Sequence, residues 1–333
     1  ELEGCKALMS AYLLTGAAGF IGARLAEFLL QDGHEVFGVD NLSQAYDVRM
    51  KEYRLTRLQQ KPDFHFLRKD ITDKALIAQL QAELPPVEAV INLAAIVGVR
   101  ASTKDPWSYL YTNTLGTLNM LEFCARAGVK KFILPSTHSL YGNEGKPPHA
   151  ETAPTDHPLA PYAASKKGAE ALCHAYHYLY GIDVTIFRYF TVYGPAARPD
   201  MVMFRFTQWI SEGQPVRLNG DGEQSRGFTY VDDIARGTIL GLKPMGFEII
   251  NLGGHESIRI NELICMLEEL IGKKAQVEYL PRHKADMLSN WANVEKAGRL
   301  LGWEPQVSLR DGVARLVDWY NQERSWAKDI QTV

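Results

Sequence analysis

The sequence predicts an α/β fold: a doubly wound parallel sheet followed by a smaller α/β lobe. Three observations carry that expectation. Short apolar runs alternate with stretches of helical period, the first run ends in a cluster of glycines, and the alternation weakens after about Thr191, where glycine and proline become frequent. The first run, residues 12–15, is free of charge, as suits a strand covered on both sheet faces. A helix is expected next, because Ile21, Leu25, Phe28 and Leu29 repeat at i, i+4, i+7 and i+8, with Gly33 placed to close it. Further strands are expected at 35–40, 64–67, 89–93, 132–134 and 184–187, and helices at 113–128, 162–180 and 263–271. Residues 1–8, ahead of Met9, read as a leader and stand outside the fold expectation. The length suits about two domains. The expected division is 9–190 for a sheet domain, with a return near 226–250, and 191–330 for the second lobe.

Composition excludes several classes of function. Hydrophobic residues make up 46% of the 333, enough for a sizeable core and against a disordered chain. Lys and Arg number 36 against 39 Asp and Glu, a net charge of −3, which offers no basic surface for nucleic acid and no polybasic run for a membrane. The apolar stretch 87–99 is interrupted by Glu88 and Asn92 and is too short to span a bilayer. Cys5, Cys124, Cys173 and Cys265 lie far apart with no CxxC pair, which reads as reduced thiols in a cytoplasmic protein.

Two motifs carry chemistry. Gly16-Ala17-Ala18-Gly19-Phe20-Ile21-Gly22 follows the first strand and opens the first helix. Glycines there allow a tight turn and let a pyrophosphate sit on the amides of a helix N-terminus, the arrangement of a Rossmann-like dinucleotide site. An acid ending the second strand, Asp40, is placed to bind ribose hydroxyls and repel a 2′-phosphate, favouring NAD over NADP. Asp70-Ile71 follows the third strand run and is a candidate adenine edge; an N-cap role shared with Asp73 is the alternative. Leu93-Ala94-Ala95 supplies small residues where a cofactor would approach.

The second motif is Tyr162-Ala163-Ala164-Ser165-Lys166. On a helix, i and i+4 share a face, so a lysine cation stands by the phenol. A phenol of ordinary pKa ~10 must fall by about three units to act as a base at pH 7, roughly 4 kcal/mol of differential stabilisation. A solvated helical pair is the bland alternative, weakened here by the glycine motif upstream. His174 and His177 lack a third ligand and read as a polar helix face, so no metal is expected.

Together these segments resemble the extended short-chain dehydrogenase/reductase family, in its nucleotide-sugar-modifying branch. The resemblance runs from about Met9 to Tyr320: TGAAGFIG from Thr15, STHSLYG from Ser136, YAASK from Tyr162, RYFTVYGP from Arg188, SRGFTYVDD from Ser225 and LLGWEP from Leu300 occur in the family's order. It implies bound NAD, a UDP-sugar substrate and a homodimer through the long helices around Thr117 and Ala169. It also implies a cofactor set of Gly16, Ala18, Gly19, Phe20, Ile21, Gly22, Asp40, Asn41, Asp70, Ile71, Leu93, Ala94, Ala95, Asn113, Tyr162 and Lys166.

Within that branch, individual residues discriminate. Dehydratases carry Thr-Asp-Glu and decarboxylases Thr-Ser-Glu where this chain has Thr137-His138-Ser139, which has no carboxylate to drive elimination. Reversible oxidation and reduction at C4 through a 4-keto sugar remains, with Tyr162, Lys166 and Thr137 as the catalytic set. Thr191, where many relatives binding neutral hexoses have Asn, and the following AARPDM resemble the uronate 4-epimerases. UDP-glucuronate is therefore the favoured substrate; UDP-glucose or UDP-N-acetylglucosamine is the alternative, and a non-catalytic NAD sensor a more distant one. Thr137, Ser139, Thr191 and Arg198 are expected around the sugar carboxylate, with a loop salt bridge to Asp200 as the other reading of Arg198. Arg226 is the candidate for the diphosphate, Asp286 for a ribose hydroxyl and Arg217 for the base. His138 stands where Ser is usual and either touches substrate or bonds the loop. His283 stands where relatives often have Arg, which moves a phosphate contact towards Arg282.

Overall fold

A computed structural model describes residues 9–143, 147–281 and 289–332. The chain begins as alternating strand and helix: β1 (Ala11–Thr15), α1 (Phe20–Gln31), β2 (Glu35–Val39), α2 (Arg49–Leu58), β3 (Phe64–Leu67), α3 (Ala75–Glu83) and β4 (Ala89–Asn92). Then come α4 (Val99–Ser102), α5 (Pro106–Tyr109), α6 (Gly116–Ala127), β5 (Lys131–Thr137), α7 (Pro161–Tyr180) and β6 (Asp183–Tyr189). The second half supplies β7 (Thr191–Tyr193), α8 (Val202–Ser211), β8 (Val216–Asn219), β9 (Ser225–Tyr230), α9 (Val231–Leu240) and β10 (Phe247–Leu252). It closes with β11 (Glu256–Arg259), α10 (Ile260–Ile271), β12 (Val277–Leu280), β13 (Ser289–Asn290), α11 (Glu295–Leu301) and α12 (Leu309–Ala327).

Seven parallel strands form the main sheet in the order β10-β6-β5-β4-β1-β2-β3. The order reverses between β1 and β4, so their C-terminal ends open a crevice, the usual ligand position in such sheets. Successive side chains face opposite ways, so Leu14 enters one buried cluster with Leu25 and Phe187, while Leu13 enters another with Val90 and Phe132. A smaller sheet joins β7 and β13 in parallel, and β11 in antiparallel, to β9; β8 and β12 pair apart from it. The return to the main sheet is made by α9, which packs on α1, and by β10, whereas β9 stays in the smaller sheet.

Two boundaries differ from the pattern reading for physical reasons. The fifth strand reaches from Lys131 to Thr137, because Lys131 opens it with its charge satisfied by Asp183, Thr185 Oγ1 and the Lys243 carbonyl. The helix expected from 113 starts earlier, at α5, where Pro106 takes the first turn and Asp105 accepts from the Ser108 amide; a π-helical turn over Leu110–Leu115 joins it to α6. Thr117 and Ala169 are both buried within the chain, so the outward faces of α6 and α7 lie elsewhere on these helices.

A buried ion pair ties the sheet to α7. Arg188 on β6 donates to both carboxylate oxygens of Glu170, at 3.1 and 2.9 Å, with the two side chains only 3% and 5% exposed. The same guanidinium reaches the Tyr141 hydroxyl (3.2 Å) and the Glu151 carbonyl (3.3 Å). Cys124 and Cys173 are buried thiols whose pKa burial pushes up, and Cys265 is exposed; none is disulfide-bonded. Among the described residues no helix is long and apolar enough to cross a membrane.

Candidate active site

A cavity of about 380 Å³ opens at the C-terminal ends of β1, β2, β4, β5 and β6. Its floor is the β1–α1 turn. Gly16 has φ +69°, and a Cβ there would stand 2.7 Å from the Ala94 nitrogen; a Cβ on Gly22 would stand 2.2 Å from the Gly16 carbonyl oxygen. These glycines are therefore required by the turn itself and by its approach to the β4 end, before any ligand is considered. The amides of Gly16 and Ala17 bond the Val39 carbonyl, and that of Gly19 bonds Gly16. The first turn of α1 has no side-chain cap and no acidic residue, and Phe20, Ile21 and Gly22 line the cavity. An uncapped helix N-terminus facing a cavity fits the pyrophosphate of a dinucleotide.

Asp40 also lines the cavity, but it is already engaged. Its carboxylate accepts from the Ala18 amide (3.1 Å) and the Leu42 amide (2.8 Å), and Lys51 Nζ lies 3.3 Å away, also reaching Ser43 Oγ. The positive Lys51 offsets part of the repulsion that a bare Asp40 would exert on a 2′-phosphate. Asp70 accepts from Asn41 Nδ2 (2.8 Å) and from the amide and hydroxyl of Thr72. Burial opposes its charge, yet these donors hold its carboxyl below the usual range. Asp70 thus shapes the turn and, with Asn41 and Ile71, walls the cavity, while Asp73 accepts from the Ala75 amide. Thr15 Oγ1 bridges Asn92 (2.7 Å) and the Ala94 amide (3.1 Å), which fixes Leu93, Ala94 and Ala95 along the opposite wall.

The chemical end of the cavity lies between β5, α7 and the loop after β7. Tyr162 is buried, its ring edge-on to Tyr109 at 6.1 Å, and the Thr137 side chain acts on its hydroxyl. Burial raises the phenol's pKa, while Thr137 and the nearby Arg198 charge pull it down. Lys166, one turn along, donates to the Pro135 carbonyl at 2.8 Å, and burial pushes its pKa down to about 8. Lys166 therefore remains largely charged at pH 7, one helical turn from Tyr162 on α7. Thr137 Oγ1 lies 3.2 Å from Ser139 Oγ and accepts from the Ser139 amide. Thr191, His138 and Arg198 complete this wall. Arg198 takes up the salt bridge to Asp200, at 3.0 and 2.6 Å, and its Nη2 also reaches the Val97 carbonyl.

The other expected site residues stand off this cavity. Ala18 is fully buried and acts through its amide on Asp40, so it positions the acid and does not line the wall. Asn113 spends its amide on the Ile96 backbone and Ser165 Oγ, fixing the cavity loop against α7. Arg217 on β8 is exposed and pairs with Glu278 at 3.4 Å, and Arg226 on β9 donates to the Ser225 carbonyl at 2.7 Å. Asp286, with Arg282 and His283, falls outside the described residues. His174 packs edge-on to Phe247 and His177 Nδ1 bonds the Ile182 carbonyl, so both ring positions are structural. Lys51, Ser43 and Tyr46, which also line the cavity, were not singled out by motif. Their signal was weak: a lysine eleven residues after a strand-ending acid.

The NAD dependent epimerase/dehydratase family model matches residues 12–253. A UDP-glucuronate 4-epimerase of Thermodesulfobacterium geofontis (strain OPF15) is 52% identical over 324 residues, covering 97% of this chain and all of that one. The crystal structure of UDP-glucuronic acid 4-epimerase from Bacillus cereus, in complex with UDP-glucuronic acid and NAD, superposes with a TM-score of 0.88 at 38% identity, over 94% of this chain and 99% of that one. A UDP-glucose 4-epimerase from Thermotoga maritima, with UDP-glucose, gives a TM-score of 0.88 at 34% identity over the same shares. The chain belongs to the NAD dependent epimerase/dehydratase family.

Proposed function

We propose that this protein is an NAD-dependent UDP-glucuronate 4-epimerase, interconverting UDP-glucuronate and UDP-galacturonate. The observation that carries the reading is the cavity's chemical end: a buried Tyr162 lining it beside Thr137, one turn from a buried Lys166, with Arg198 on the same wall and no carboxylate between Thr137 and Ser139. The 52% identity to a UDP-glucuronate 4-epimerase along nearly the whole chain supports the same substrate. The cofactor set is the turn from Gly16 to Gly22, Asp40 with Asn41, Asp70 with Ile71, and the 93–95 wall, in residues 9–190 plus the return through α9 and β10. The sugar nucleotide is held against residues 191–330, with Arg226 and Asp286 for the UDP moiety.

The chemistry that NAD supplies when bound is reversible hydride acceptance at C4, giving a 4-keto sugar. Tyr162 removes the C4 hydroxyl proton in the first half and returns it in the second, as a general base and then acid. Thr137 donates to the same oxygen, and Lys166 favours the phenolate electrostatically. Thr191, Ser139 and Arg198 meet the C6 carboxylate, and by fixing its plane they restrain loss of carbon dioxide from the β-keto acid. Two copies would associate through the outward faces of the 106–127 helical segment and α7, where Trp107, Tyr111, Leu115 and Tyr178 are exposed. The free thiols fit a cytoplasmic setting.

Chromatography of the products from wild-type protein tests the substrate, and Arg198→Ala tests the clamp. Removing a charged donor from a buried carboxylate contact should cut kcat/KM for UDP-glucuronate by at least about tenfold and leave UDP-glucose little changed. An unchanged ratio between the two sugars removes Arg198 from the clamp.

A further inference from the structure

His138 is the one ionisable side chain of the Thr137-His138-Ser139 segment, and its surroundings define its proton. Nδ1 lies 3.2 Å from the Tyr189 carbonyl oxygen. A carbonyl only accepts, so Nδ1 carries the hydrogen and the neutral ring holds its lone pair on Nε2. The ring is stacked on Phe190 at 5.1 Å and 23°, which fixes its plane, and Nε2 has no hydrogen-bond partner among the described residues. A neutral imidazole in this tautomer presents a lone pair, and a lone pair repels a carboxylate. Arg198, the cation of the same wall, already has its charge countered by Asp200. The wall therefore offers hydroxyls and guanidinium hydrogens, but little unspent positive charge.

On the reading that the substrate is a uronate, we propose that His138 determines specificity by taking up a proton at Nε2 when a sugar carboxylate enters, so that both ring nitrogens donate, one to Tyr189 and one to the substrate. A neutral sugar at the same position brings no charge to favour that proton. Burial, together with the positive Arg226 on β9 and His149 in the loop before α7, holds the pKa of His138 down to about 4, the Tyr189 carbonyl being the opposing influence. Tyr162 and Arg198 share the cavity. His138 therefore stays neutral until a negative charge arrives, and binding of the uronate becomes linked to pH. Between the free-state pKa of about 4 and the higher pKa reached in the complex, its affinity falls by up to tenfold per pH unit and then levels off, while that of UDP-glucose does not change.

Calorimetric titration of NAD-loaded Tyr162→Phe protein, whose turnover is expected to be strongly slowed, in two buffers of different ionisation heat reads the proton directly. At pH 6, UDP-glucuronate should take up about one proton and UDP-glucose close to none. Adding His138→Asn, which keeps a donor for the Tyr189 carbonyl and cannot titrate, should bring the first value down to the second; His138→Ser is the companion variant should that chain not fold. Equal uptake with both sugars, or uptake that survives both substitutions, overturns the proposal. Wild-type protein run in parallel separates the two readings. Epimer formed from UDP-glucuronate without differential uptake overturns the proton linkage alone, whereas turnover of UDP-glucose only overturns the uronate assignment and the linkage together.

Discussion

Replacing Tyr162 with Phe is expected to lower kcat by about 10²–10⁴-fold, the usual contribution of a positioned acid/base group, while NAD content and melting temperature stay near wild type. The phenyl ring keeps its packing against Tyr109, so only the hydroxyl and its interaction with Thr137 are lost. The size of the loss follows from the environment. Burial drives the phenol's pKa up, and within the chain Thr137 and Arg198 oppose that rise. Lys166, with its pKa pushed down to about 8 by burial, carries most of its charge at pH 7, and on the proposed reading that charge favours the phenolate. Steady-state rates with cofactor content measured on the same sample check this; near-normal turnover would remove Tyr162 from proton transfer.

The second large effect concerns stability. Arg188→Ala leaves Glu170 buried with its main cation gone, and a broken buried pair costs about 3–5 kcal/mol. Tyr141 and the Glu151 carbonyl lose a donor in the same step. Urea denaturation followed by circular dichroism should show that loss, together with a weaker hold of α7 on β6. The double substitution Arg188→Met with Glu170→Gln should be less damaging than Arg188→Ala, because no unpaired charge remains. An Arg188→Ala protein as stable as wild type would show that Glu170 is solvated or neutral in the folded chain.

Much of this was legible in the sequence because the signals are local. The charge-free run 12–15, the glycine turn and the 3.6-residue period after it lie within about twenty residues, and the parallel sheet follows from the alternation. Tyr162 and Lys166 share one helix face, so their pairing needs no tertiary knowledge. What depended on distant partners was less readable. The charge on Lys131 argues against a strand until Asp183 and Thr185, some fifty residues on, are brought beside it. Gly22 reads as an opening for phosphate, yet the nearest atom to its missing Cβ belongs to Gly16. Arg198 reads first as a substrate ligand, with a salt bridge to Asp200 as the alternative; the folded chain makes the ion pair and still leaves the guanidinium on the cavity wall. Lys51 meets Asp40 only because α2 folds back on the end of β2.

The central claim is that the carboxylate of the sugar is what this site selects. The most direct measurement is ¹H NMR of wild-type, NAD-loaded protein given equal concentrations of UDP-glucuronate and UDP-glucose in one tube, with the initial rates of appearance of each C4 epimer compared. The account predicts that UDP-galacturonate forms at least about tenfold faster than UDP-galactose, the discrimination one desolvated ionic contact supplies. Faster formation of UDP-galactose, or equal rates, would contradict it.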